Sequence, residues 1–258
     1  MEKAPSSGFA TVIEKIGEQG VFFTSFCKNI FRNGFEWEEL MRQCYLIGYR
    51  SLGIVMITGF ILGFVLTLQS IPTLKEFGAQ NYTPSMVSIS VIREIGPVIT
   101  ALICAGKIAS SIGAELGSMR VTEQIDAMEI SGANPMQYLV VTKILACIVM
   151  VPLLTLVADG IALFGGYAGM NISGHMNATL YFAKSFSGLA FTDVIPSVIK
   201  TFFFGFTIGF VGCYKGMNAK NGTESVGLAA NASVVTASIW IIIIDAVAVQ
   251  ITSALVYN

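Results

Sequence analysis

SVIREIGPVITALICAGK, residues 90–107, sets an adjacent arginine and glutamate, Arg93 and Glu94, and then Gly96-Pro97 at the head of a run that is otherwise apolar. The run extends from Met86 to Ile112, and about 20 mostly apolar residues suffice for a helix to cross a bilayer. Read as a span, it carries, besides Lys107 near its far end, two adjacent ionisable groups where such groups are rare, costly and usually functional. The rest of the chain agrees with that reading. Of its 258 residues 54% are hydrophobic and 12% charged, with a mean hydropathy of +0.72, against about 25% charged in soluble domains. The sequence therefore describes an all-α membrane protein.

Four more stretches have the length and composition of spans, so the five expected crossings are residues 46–71, 86–112, 144–170, 194–214 and 234–257. An odd number puts the termini on opposite sides. Cytoplasmic flanks carry the excess of Lys and Arg. Lys3, Lys15, Lys28, Arg32 and Arg42 precede the first span and Arg50 stands at its start, Lys107 stands toward the end of the second with Arg120 and Lys143 after it, and Lys215 and Lys220 follow the fourth; the other side has only Lys75 and Lys184. The expectation is a cytoplasmic N-terminus and a C-terminus on the far side. Residues 1–45 alternate apolar and charged positions at helical spacing, as in an amphipathic helix lying in the membrane interface, or as in a soluble helix packed on a partner.

Composition excludes several functions. A net charge of −1 gives no footprint for nucleic acid, one histidine cannot build a histidine-rich metal cluster, and five cysteines without CxxC spacing point to neither disulfides nor zinc. The N-terminus lacks the basic, apolar and small-residue succession of a cleaved signal peptide. CAGKIASS imitates a phosphate loop, but Walker A requires glycine at position 101 and Ser or Thr at 108, where Ala101 and Ile108 stand. His175 sits among Asn and Ser in an external loop with no nucleophile near it in sequence, so a catalytic triad is not expected. Of five Asn-x-Ser/Thr triplets, Asn221 would face the cytoplasm and Asn231 opens a span, so most read as chance.

Small residues mark where helices approach. Ala101, Ala105, Ala109, Gly113 and Gly117 recur every fourth position, and Gly59/Gly63 and Gly205/Gly209 repeat the device. Away from the basic ends of the spans, where Arg50 and Lys107 stand, five ionisable residues lie within them: Arg93, Glu94, Asp159, Lys200 and Asp245. At about 1.5 Å per residue, Arg93 and Lys200 lie roughly 10 Å below the external surface and Asp159 and Asp245 about 13–18 Å from their external ends. They are expected to form one polar cluster. The charges either pair to fix packing, Lys200 with Asp159 or Asp245, or serve a ligand. Arg93 and Glu94, about 100° apart on a helix, should address different surroundings, one of them a cavity opened by Gly96-Pro97. A guanidinium there suits a phosphate or carboxylate.

Between the second and third spans, GAELGSMRVTEQIDAMEISGANPMQYLVVTK predicts a short amphipathic helix over about residues 115–134, ended by Gly-Ala-Asn-Pro. It is either a surface connector or the handle on which a cytoplasmic motor acts. The run Arg93-Glu94-Ile95-Gly96-Pro97, Ala105-Gly106, Ala114-Glu115-Leu116-Gly117, Met119 and Glu123-Gln124-Ile125-Asp126-Ala127-Met128 to Pro135 closely resembles the MlaE (YrbE) family, the permease subunits of ABC transporters that work with MCE proteins. The resemblance covers essentially the whole chain.

The resemblance implies one half of a homodimeric permease in the bacterial inner membrane, with five spans and an N-terminal interfacial helix. It implies no catalysis or cofactor in this chain, with ATP and Mg bound by a cytoplasmic ATPase pair. That pair would dock at the coupling helix, here Glu115, Arg120, Glu123, Gln124, Asp126 and Glu129. A hexamer of MCE domains would sit on the external face, and the cargo would be phospholipid, moved so as to maintain outer-membrane lipid asymmetry. The family's lipid cavity maps to Leu66, Gln69, Arg93 and Glu94, with Phe77 near its exit. Lys107 stands where the family more often has arginine, and a lipid role for Asp159 rests on depth alone. Two other readings are a proton-coupled secondary transporter, for which no inverted repeat is seen, and a membrane scaffold anchoring a cytoplasmic partner.

Overall fold

The computed structural model describes residues 8–30, 35–174, 176–220 and 222–256, so His175, Asn221 and Tyr257 lie outside the described residues. Among these residues there are helices and their connections and no strand. We label the helices α1 (Gly8–Ile30), α2 (Trp37–Glu76), α3 (Gln80–Val121), α4 (Gln124–Ile130), α5 (residues 136–174), α6 (Ala178–Ser187), α7 (Phe191–Met217) and α8 (Thr223–Val256). The five long ones, α2, α3, α5, α7 and α8, are each long and apolar enough to cross a membrane, and each contains one expected span as far as the described residues reach. Two boundaries differ from expectation. Residues 37–45 belong to α2 and not to a separate amphipathic segment. The helix expected over 115–134 is two pieces: residues 115–121 end the α3 rod, and α4 begins after Glu123, which takes the left-handed conformation at φ 58°.

Small residues seat the helices as their spacing predicts. Ser51, Val55, Gly59, Gly63, Thr67 and Ile71 form a buried ridge along α2, and a Cβ added at Gly59 or Gly63 would overlap the backbone of Ala158 or Ala162 on α5. The α3 ridge is buried from Ala101 to Gly117. Gly113 abuts Ser233 and Ala229 of α8, and Gly212 and Gly216 of α7 abut Ala109, Ile112, Gly113 and Leu116. Gly205 and Gly209 of α7 meet Cys147 and Ile144 of α5. Close approach here trades side-chain volume for backbone contact, the arrangement that van der Waals packing favours in lipid.

The two ends of the bundle differ. At one, Phe22 of α1 lies edge-on to Phe210 and Tyr214 at 5.4 and 5.6 Å, and the Tyr214 hydroxyl donates to Glu18 Oε2 at 3.2 Å. Asn134, in the α4–α5 connection, donates to Asn29 Oδ1 at 2.7 Å, so α1 and α4 mark the same end. At the other, α6 is capped by Asn177, whose side chain accepts from Thr179 N–H at 3.1 Å. Hydroxyls of Ser85 and Ser88 donate to Lys184 O and Ser185 O at 2.7 and 2.9 Å, which seats α6 on the start of α3. Burial pushes the Tyr181 phenol on α6 up from its ordinary pKa, beside the hydroxyls of Ser185 and Thr67.

Candidate functional site

The site is organised by a fault in α3. Proline at 97 has no N–H to donate, and the preceding turn widens into a π-helix over Val91–Ile95, with Gly96 N–H reaching back to Val91 O. A freed carbonyl needs another donor when buried. The Ser197 hydroxyl of α7 supplies it, donating to Ile92 O at 2.6 Å. That bond sets the register of α7 against α3. Asp193 and Lys200, four residues before and three after Ser197, share its helical face and come opposite the Arg93-Glu94 pair.

Lys200 Nζ lies 2.6 Å from Glu94 Oε2 and 2.9 Å from Asp245 Oδ1. Three helices, α3, α7 and α8, thus meet at one ammonium whose side chain is only 5% exposed. Arg93 Nη1 is 3.8 Å from Asp193 Oδ1 and its Nε 4.0 Å from Glu94 Oε1. Arg93 and Glu94 remain about one-third exposed along a small cleft also lined by Thr192, Pro196 and Thr252. An arginine at the lip of a cleft, beside a nearly buried lysine clamped by two carboxylates, can accept an anionic group without dismantling the clamp.

Two expectations are corrected. Arg93 and Glu94 do not address different surroundings: both reach α7, at positions two turns apart, because the widened turn and the Ser197 bond set them along one face. Nor do the five intramembrane charges form one ion-paired cluster among the described residues. Asp159 does not join Lys200, which pairs with Glu94 and Asp245 instead. Asp159 lies on α5, with its Oδ1 where a Cβ on Gly96 would stand, buried and without a hydrogen-bond partner among the described residues. It lines a separate, largely apolar hollow with Ile92, Leu163, Phe186, Phe191 and Val194.

Within one chain, the other expected lipid residues stand apart from the clamp. Leu66 packs beside Val87, Val91 and Ala162. Gln69 is exposed on α2, and Phe77, at the end of α2, is 79% exposed. Sequence reasoning missed Asp193 and Ser197. The former lies one residue outside the expected span, and the signal for both was their i, i+4, i+7 spacing with Lys200.

At the opposite end, Arg120 Nη1 is 2.5 Å from Asp126 Oδ1, tying α4 to the tip of α3. Ile125 is fully buried, while Glu123, Gln124 and Glu129 are exposed and Ile130 is 88% exposed. Glu115, itself half-exposed, pairs at 2.8 Å with the buried Lys143, whose ammonium also donates to Gln43 Oε1 at 3.2 Å. Gln43 in turn donates to Glu39 Oε1 at 2.6 Å, and the Tyr138 hydroxyl to Glu39 Oε2 at 3.3 Å. This network, buried at Glu39, Gln43 and Lys143, joins α2, α3 and α5.

The protein family described as Permease MlaE matches residues 40–251. A probable ABC transporter permease protein of Rickettsia typhi is 40% identical over 204 residues, 79% of each chain. One of Rickettsia conorii is 36% identical over 242 residues, 93% of each chain. One of Synechocystis is 35% identical over 207 residues, 79% of this chain and 77% of the relative.

Proposed function

Because the chain belongs to the MlaE family of ABC transporter permeases and is a multi-pass membrane protein, we propose that it moves phospholipid across or out of the bacterial inner membrane. A permease of this class works with an ATPase subunit, and the chain is not itself that ATPase. In our reading ATP and Mg bind that partner, two copies of the chain pair, and a periplasmic MCE hexamer receives or delivers the lipid in the service of outer-membrane lipid asymmetry. The basic end, carrying α1 and α4, faces the cytoplasm, since Lys and Arg concentrate there.

The observation that carries the reading is the Lys200 clamp under Arg93. A charged triad joining three helices, open on one side to a cleft with a guanidinium about one-third exposed, suits a phosphodiester headgroup whose tails leave toward apolar surface. Leu66, Gln69 and Phe77 would line the same cavity from α2, completed by the second copy. Motion of the ATPase is delivered to α4 and passes through Arg120 and Asp126 to the α3 rod. The π-helical turns at Val91–Ile95 and Ala105–Ala109 are where a rod of this kind can change its pitch.

The test is ATP-driven lipid transfer by the complex reconstituted in proteoliposomes, comparing the parent with Arg93→Ala and Glu94→Ala. Transfer should fall at least severalfold in both while the ATPase still co-purifies. Undiminished transfer in both variants would overturn the assignment.

A further inference from the structure

A second site lies at the other end of the bundle. A small cleft opens between α2 and α3, lined by Leu46, Arg50, Ser51, Lys107, Ser111 and Glu115 among others, with Lys143 at its floor. Three cations and one carboxylate border it. Glu115 is already engaged by Lys143 at 2.8 Å, so that pair is neutral together. Arg50 and Lys107 remain, and among the described residues neither has a carboxylate within ion-pair distance. The Lys107 ammonium donates to the backbone carbonyl of Arg50, which brings the Lys107 side chain across to α2 at the level of Arg50. Both residues are exposed, as is Ser111. The cleft is thus a net-positive recess with a hydroxyl at its edge and Leu46 and Ile108 on its walls.

Depth identifies what could fill it. Arg50 is the last charged residue on α2 before Lys75, and the helix between them spans about 37 Å. On α3, Gln80 to Lys107 spans about 40 Å. A bilayer measures about 40–45 Å with its headgroup regions and 30 Å without them. Lys75 and Gln80 belong to one end of the bundle, so Arg50 and Lys107 lie together at the headgroup level of the other. Basic side chains at that level bind lipid phosphates, and each contributes about 1 kcal/mol near an anionic surface.

We propose that this cleft binds the phosphate headgroup of a glycerophospholipid from the leaflet at the basic end, with Arg50 and Lys107 on the phosphate, Ser111 at its edge and the acyl chains directed along the apolar flank of α2. The site is separate from the Lys200 clamp and does not rest on the transport reading, since a resident lipid can be held here whether or not lipid is moved elsewhere.

The test is native mass spectrometry of the full chain with its co-purifying partners, titrated with phosphatidylglycerol. The double variant Arg50→Gln/Lys107→Gln should lose one bound lipid per chain, its apparent affinity at that site falling about thirtyfold. Arg50→Lys/Lys107→Arg, which keeps both charges, should retain it. If the glutamine variant does not fold, the parent protein still decides. Diacylglycerol of the same chains should fail to occupy the site, and added salt should weaken phosphatidylglycerol there. Unchanged lipid count in the glutamine variant, or equal occupancy by diacylglycerol, would overturn the proposal. Displacement of the lipid by millimolar inorganic phosphate would reassign the cleft to soluble phosphate and overturn the lipid assignment. Lys200→Met serves as the separating control: it should impair transfer and leave this lipid in place.

Discussion

Glu94 on α3 and Lys200 on α7, 106 residues apart in the chain, are joined at 2.6 Å. The same ammonium holds Asp245 of α8 at 2.9 Å, so one lysine ties three spanning helices together. Lys200→Met leaves two carboxylates facing each other in a largely buried setting, and loss of one partner of a buried pair costs roughly 3–5 kcal/mol. Glu94 retains some exposure, so a value near the low end is expected, read as a fall in thermal midpoint in detergent. Adding Glu94→Gln and Asp245→Asn should recover part of the loss, because the repulsion then disappears. Additive losses would show that the three residues do not act as a unit.

Ser197 and Pro97 should be coupled in the same way. Ser197→Ala removes the donor to the Ile92 carbonyl, and a buried acceptor left unpaired costs about 1–3 kcal/mol. In a Pro97→Ala background the restored N–H at position 97 can satisfy the α3 backbone, and the same substitution should then cost little. Denaturation midpoints of the four proteins measure the coupling, and an equal cost of Ser197→Ala in both backgrounds would refute it.

Glycines on the α2–α5 seam are expected to differ sharply by position. A Cβ at Gly63 or Gly165 would overlap the carbonyl oxygen of Ala162 or Phe60, whereas at Gly160 it meets nothing within 4 Å. Gly63→Ala and Gly165→Ala should destabilise by about 1–3 kcal/mol or more as the helices spread. Gly160→Ala should be neutral or stabilise by about 0.5–1 kcal/mol through helix propensity. Thermal unfolding in one detergent compares all three.

The Arg120–Asp126 pair, with side chains 41% and 47% exposed, should matter little for stability, since exposed pairs contribute about 0–1 kcal/mol. Its expected effect is on coupling. Arg120→Ala and Asp126→Ala should each reduce lipid-stimulated ATP hydrolysis severalfold with an unchanged thermal midpoint, and the double variant should be no worse than either. Normal stimulation in both would mean that α4 needs no tie to α3.

Several features were legible before any coordinates. The five spans follow from runs long enough to cross a bilayer, and the helix seams from small residues every four positions, because lipid rewards close backbone contact and the spacing of one helical face is a property of the chain itself. The ionisable residues within spans were also visible, as were the MlaE-like motifs from Arg93 to Pro135. Pairing was another matter. That Lys200 takes Glu94 and Asp245 and leaves Asp159 aside depends on the rotation of α7, which is set by one hydroxyl meeting a carbonyl that Pro97 left open. The break of the loop helix at Glu123 depends on a single backbone conformation. Arg50 and Lys107 meet only because α2 and α3 bring them level. Periodicity along one helix determines which face is small or polar; what that face touches is decided by the registers of its neighbours, and these are fixed by contacts between residues far apart in sequence.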